Sequence, residues 1–290
     1  MTTGSPFPGA VVVGLDHDRT AQDALHWACT QARLEHRPLV AAHAAGRVPG
    51  RSTVAELRGT LGRRDHRLVR QARQVVGVEA PESEVQLLVT RRGPRRTLLD
   101  ASAGAAMLVV GPPDPIGPRW SPVGSVAASL VMRATCPVVI VREGPDPRPR
   151  VAVGTEGTGL STPALAFAFR VAASRDWAVT VLHCFWDSTG LTGDLGPGEP
   201  GHEGRRSRIA ALVEPHRRRH PGVDVTIQLS RGFADQRLVA ASRDHALVVV
   251  AHHRLPLLQR IVWGNVTPLV VREAPGSVAV VPSESGPSGA

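Results

Sequence analysis

Short, unbroken apolar runs alternate along this chain with longer stretches whose apolar residues return at helical spacing. Residues 11–15 (VVVGL), 39–45, 85–89, 107–110 and 138–141 are runs of the first kind. They lack the apolar–polar alternation of a half-exposed strand, so they predict strands buried on both faces. Between them, residues 20–35 place Ala24, Leu25, Ala28 and Ala32 on one face, which predicts an amphipathic helix. Residues 55–76 repeat the pattern with Leu57, Leu61, Leu68, Ala72 and Val75, and residues 95–103 and 126–133 predict shorter helices. Strands alternating with helices imply parallel pairing through right-handed crossovers.

The same pattern then recurs. Sliding the chain by 140 positions lays Val11-Val12-Val13-Gly14-Leu15-Asp16 on Val151-Ala152-Val153-Gly154-Thr155-Glu156. The same shift aligns His43 with His183, Leu98 with Leu238, Met107–Gly111 with Leu247–Ala251, Gly124 with Gly264, and 138–141 with 278–281. A single offset over so many elements marks a duplication. The expected architecture is α/β: two tandem, doubly wound, parallel five-stranded sheets of order 3-2-1-4-5. The expected boundaries are a first domain at 8–142, a Pro-rich linker at 143–150, a second domain at 151–281 and a disordered tail at 282–290. Residues 186–204, rich in Gly, Asp and Pro, read as a mobile loop.

Composition narrows the chemistry. The 290 residues suit two domains, and only 3% are aromatic, so the cores must be built from Val, Leu, Ala and Ile. All 34 basic residues are Arg. With no Lys anywhere, a P-loop and Schiff-base chemistry are excluded. The net charge is +9, and the Arg clusters read first as solvated helix ends and loops and second as an attraction for phosphate-bearing partners; no aromatics interleave with them, so a nucleic-acid platform is not expected. Cys29, Cys136 and Cys184 form no CxxC and read as buried small hydrophobes. Adjacent residues of an extended segment point oppositely, so His252-His253 make poor co-ligands, and no metal site is expected. His43 and His183, at equivalent strand ends, suit a structural role better than a catalytic one. No GxSxG, Walker A or GxGxxG occurs, and no catalytic residue is assigned. The first ten residues carry no basic segment followed by an apolar one, and no apolar run is long enough to span a bilayer; a cytoplasmic protein is the expectation.

In a sheet of order 3-2-1-4-5, a ligand binds beyond the carboxyl ends of strands one and four, where the order reverses. Asp16 follows strand one, Gly111 ends strand four, and Gly124-Ser125 opens the next helix. A helix N-terminus offers free N–H groups and a positive dipole end to a phosphate. A carboxylate at Asp16 can accept hydrogen bonds from a ribose or an adenine amine. Read locally, Gly124-Ser125 is equally a helix cap and Asp16 a loop residue.

The VVVGLD start, Leu108-Val109-Val110-Gly111, the late Gly124-Ser125 and the ending Ala134-Thr135-Cys136-Pro137-Val138-Val139-Ile140-Val141-Arg142 resemble the universal stress protein family. The resemblance is to its tandem, actinobacterial type and covers nearly the whole chain, once per copy. ATP-binding members carry Gly, two residues, Gly, nine residues and Gly-Ser. Here the spacing is intact, with Asp114 at the second glycine. The resemblance implies the adenine nucleotide alpha hydrolase-like fold and a non-metabolic stress-response regulator. Its implied ligand is ATP in domain one, its implied assembly a pairing of copies through the last strand and a homodimer, and its partner an unidentified regulatory protein. By position, Asp16 and the backbone near Ala44 would hold adenine, Gly111 would meet the ribose, and Gly124, Ser125 and Val126 the phosphates. Asp114 places a negative charge in that loop, and Pro112, Pro113, Pro115 and Pro118 remove N–H donors. The second copy departs further, with Glu156, Ala251-His252-His253-Arg254 and Gly264-Asn265 in the corresponding places. Two other classes remain: a nucleotide-free interaction module on the same fold, and a transferase or ligase, whose HIGH-like or Ser-Gly-Gly phosphate motif is not seen.

Overall fold

The computed structural model describes residues 7–44, 51–52 (backbone), 63–80, 85–90, 92–112, 126–143, 148–186, 192–253 and 266–283. The chain divides into two units, Met1–Glu143 and Gly144–Ala290.

Unit one holds strands β1 (Val11–Leu15), β2 (Leu39–Ala44), β3 (Arg51–Ser52), β4 (Val85–Thr90), β5 (Met107–Val110) and β6 (Val138–Ile140). Its helices are α1 (Arg19–Leu34), α2 (Arg63–Glu79), α3 (Pro94–Ser102) and α4 (Val126–Arg133). The sheet runs β3-β4-β2-β1-β5-β6. All pairings are parallel except the short β3, which lies antiparallel on β4. The parallel strands thus take the expected order 3-2-1-4-5. Val11, Val12 and Val13 have no exposed surface, because α1 and α3 both pack on β1. A Cβ on Gly14 would lie 3.1 Å from a Leu98 methyl, so glycine there lets α3 settle onto the strand.

Unit two repeats the plan with β7 (Arg148–Thr155), β8 (Ala178–Phe185), β9 (Gly193–Asp194), β10 (Val225–Arg231), β11 (His245–His253) and β12 (Val278–Ser283). Its helices are α5 (Thr162–Arg175), α6 (His202–Arg219), α7 (Ala234–Ala241) and α8 (Val266–Glu273). The order is β12-β11-β7-β8-β10-β9. The repeat extends to register: Val11 pairs with Leu39 and Met107, and Val151 with Val179 and Leu247. Both first helices end in a left-handed, non-glycine residue, His36 (φ 50°) and Asp176 (φ 54°). Arg37 then donates to the Ala32 carbonyl, and Trp177 to that of Ala172, each at 2.9 Å. One difference between the cores is Phe169, fully buried in α5, where α1 has Cys29.

Three expectations need correction. Strand β7 begins at Arg148, inside the stretch read as linker, because Arg148 donates to the Asp244 carbonyl at 3.1 Å. Strand β12 runs through Pro282 and Ser283, two residues into the expected tail; the Ser283 hydroxyl holds it to the Leu160 carbonyl at 2.8 Å. Residues 186–204, expected as a mobile loop, contain β9 and the start of α6. Asp194 accepts from Gln228 (2.9 Å) and Ser230 (3.0 Å) and pairs with Arg237. Glu199 accepts from the Gly196 amide and from Arg231, both at 2.6 Å. Gln228, Ser230 and Arg231 lie on β10 and Arg237 on α7, far along the chain, so composition alone does not reveal them. Among the described residues, no helix is long and apolar enough to cross a membrane.

Candidate functional site

Three adjacent strands of unit one deliver their carboxyl ends to one edge. Leu15 pairs with His43, so Asp16 leaves β1 beside Ala44 at the end of β2. Val13 pairs with Val109, so Gly111 leaves β5 level with Leu15, one residue before Asp16 on the neighbouring strand. Asp16 is exposed, and Ala44, Gly111 and Val126 are half-buried. Val126 is the first residue of α4. The structure therefore brings Asp16, Ala44 and Gly111 together at the switch point of the sheet. Asp114, Gly124 and Ser125 lie outside the described residues, as do Arg254, Gly264 and Asn265 of unit two.

Gly111 also has a packing role. A Cβ there would sit 3.0 Å from the Thr20 hydroxyl and 3.2 Å from its carbonyl oxygen, so glycine lets β5 end against the first turn of α1. In unit two Ala251 takes this position, and the corresponding first turn is a 3-10 turn, Gly159–Ser161.

At the same edge of unit two the corresponding side chains bond to one another. Glu156 accepts from Thr158 at 2.6 Å and from Ser161, and His253 Nε2 stands 3.9 Å from it. The Thr155 hydroxyl donates to Ser161 at 2.9 Å and accepts from the Gly157 amide at 3.0 Å. Thr267 in the first turn of α8 donates to the Ala251 carbonyl at 3.2 Å; unit one has Ala127 there.

Both units share one histidine contact. His43 Nδ1 donates to the Leu15 carbonyl at 3.1 Å, and His183 Nδ1 donates to the Thr155 carbonyl at 3.0 Å. Each ring locks its second strand to its first. Unit one adds two residues missing from the reading of the sequence: Asp65 Oδ1 lies 3.1 Å from His43 Nε2 and 3.3 Å from His17 Nε2. At the 140-residue offset these become Gly157 and Arg205. The difference between the copies was the available signal. Elsewhere, burial pushes the Cys29 and Cys136 thiols up to about 12 and Cys184 up to about 11, in keeping with inert small side chains.

The fold defines a doubly wound α/β protein, duplicated in tandem within one chain. The chain belongs to the universal stress protein family: the model described as "Universal stress protein family" matches residues 9–142 and again 147–282. A universal stress protein of Mycolicibacterium smegmatis is 29% identical over 286 residues, covering 93% of this chain and 96% of that one. One from Mycobacterium tuberculosis is 30% identical over 268 residues, covering 86% and 88%. A solved universal stress protein from Archaeoglobus fulgidus shares the fold, with a TM-score of 0.62, 14% identity, and coverage of 94% and 96%.

Proposed function

We propose that unit one binds an adenine nucleotide, ATP foremost, across the ends of β1, β2 and β5, and that the chain is a non-metabolic stress-response regulator responding to that nucleotide in the cytoplasm. The observation that carries this reading is the exposed Asp16 carboxylate beside Gly111 at the switch point; Asp16 accepts from the neighbouring His17 amide, whereas Glu156 accepts from two hydroxyls, those of Thr158 and Ser161. In this reading Asp16 and the backbone of Ala44 hold the base, and Gly111 approaches the ribose. Gly124, Ser125 and Val126 at the start of α4 receive the phosphates, where backbone N–H groups and the helix dipole favour negative charge. Asp114 opposes the phosphates and weakens the site. A regulatory protein and a second copy of the chain are the partners it expects.

Unit two supports a second reading, that of an interaction module without nucleotide, because its Glu156 carboxylate is hydrogen-bonded by Thr158 and Ser161.

Mass spectrometry of small molecules extracted from the purified protein tests the first reading, with an adenine nucleotide expected. Asp114→Gly should raise ATP affinity by about tenfold if repulsion limits it. A folded protein that takes up no ATP at millimolar concentration, with or without that change, would leave only the interaction module.

A further inference from the structure

We propose that His17, His43 and Asp65 form a binding site for one divalent transition metal ion, zinc first, at the mouth of the unit-one crevice. This site does not depend on the nucleotide reading.

The argument starts at His43, which is only 6% exposed. The Leu15 carbonyl can only accept, so Nδ1 carries a proton, and the ring turns its Nε2 toward Asp65. A histidine whose second nitrogen donates to a backbone carbonyl is oriented as metal-ligating histidines are. Nε2 and Oδ1 face each other 3.1 Å apart. A cation bonded to both would hold them at this spacing. A hydrogen bond between them is the alternative occupant of the contact, and the experiment below separates the two.

The spacing fits a small tetrahedral ion. Bonds of about 2.0–2.1 Å to nitrogen or oxygen put neighbouring ligand atoms about 3.3–3.4 Å apart. Asp65 Oδ1 is 3.1 Å from one histidine nitrogen and 3.3 Å from the other. All three ligand atoms lie within 4.8 Å of one another, and this is the one such group among the described residues. His17 is exposed, so its ring can close the remaining distance at little cost. Two imidazoles and a carboxylate suit zinc better than magnesium or calcium, which prefer oxygen alone. Three protein ligands leave a fourth position for water or an exogenous ligand.

Unit two acts as an internal control. It keeps the carbonyl-bound histidine, His183, but has Gly157 and Arg205 in place of the other two ligands. The Arg205 guanidinium lies 4.0 Å from the Phe185 ring centre.

The test is a nucleotide-free titration of the metal-stripped full chain with zinc against a chromophoric chelator, repeated with cobalt to read coordination from its visible spectrum. We expect one zinc per chain and a tetrahedral cobalt band. His17→Ala and Asp65→Asn, at accessible positions, should weaken zinc at least about tenfold and abolish the band; His252→Ala should change neither. Circular dichroism checks that each variant is folded. Equal zinc binding by wild type and both variants, or none by wild type, would overturn the site and leave His43 and Asp65 as an ion pair.

Discussion

The two crevices show how a duplicated fold keeps its frame while its chemistry diverges. Each unit preserves the strand order, the β1–β2 and β1–β5 registers and the histidine that ties strand two to strand one. At the carboxyl ends of those strands, unit one presents an exposed carboxylate, a glycine and a His–Asp–His group. Unit two spends its carboxylate on Thr158 and Ser161 and anchors α8 to β11 through Thr267. Core residues are constrained from every side in both copies. Rim residues are constrained only by what they bind, so they record the difference.

The largest expected effect tests whether the cores are as separable as the rims. Phe169 is fully buried and packs near His216 and His220, at ring distances of 5.5 and 6.4 Å. Phe169→Ala should cost unit two about 3–5 kcal/mol. Cys29→Ala, at the equivalent place in unit one, removes one buried atom and should cost about 1 kcal/mol. Thermal unfolding of the two variants compares them directly.

Gly111→Ala drives a methyl group into the Thr20 backbone and should destabilise unit one by about 1–3 kcal/mol. Ala251→Gly relieves no such contact and should lose no more than about 1 kcal/mol through added backbone freedom. Denaturant midpoints measure both.

Acid should separate the units next. Burial lowers the pKa values of His216, His220 and His245, helped by the charges of His220 and Arg219 at His216, Arg219 at His220, and Arg150 at His245. For each, the fold favours the neutral ring, so the unfolded chain takes up more protons below the ordinary histidine value of about 6.5. This stabilisation is present above that value and is lost as pH falls through it toward the lowered folded values. Among the described residues, every histidine with a lowered pKa lies in unit two. Hydrogen exchange, corrected for intrinsic rates, should therefore show unit two opening first between about pH 7 and 5. Protection lost equally in both units would contradict this.

The smallest effect concerns a feature the units share. His36 and Asp176 hold left-handed backbone at the ends of α1 and α5. His36→Gly and Asp176→Gly should each raise stability, by at most about 1 kcal/mol.

The frame was legible because it is local and repeated. Apolar runs such as Val11–Leu15 specify buried strands, and one offset locates each partner in the other copy. The anchoring of 186–204 was not legible, since Asp194 and Glu199 find their partners on β10 and α7. Of the candidate site, Asp16 and Gly111 could be placed together from strand order, and Ala44 from the family resemblance. Asp65 could not, because it reaches His43 from a helix 22 residues away. Glu156 matched Asp16 in the alignment, and only the hydroxyls of Thr158 and Ser161 show that its carboxylate is engaged.

Isothermal titration of the full chain with ATP tests the asymmetry of the two crevices most directly. The account predicts one site per chain, weakened about tenfold or more by Asp16→Ala, as expected for a lost charged hydrogen bond, and unchanged by Glu156→Ala. Two equivalent sites, or one that responds to Glu156→Ala and not to Asp16→Ala, would contradict it.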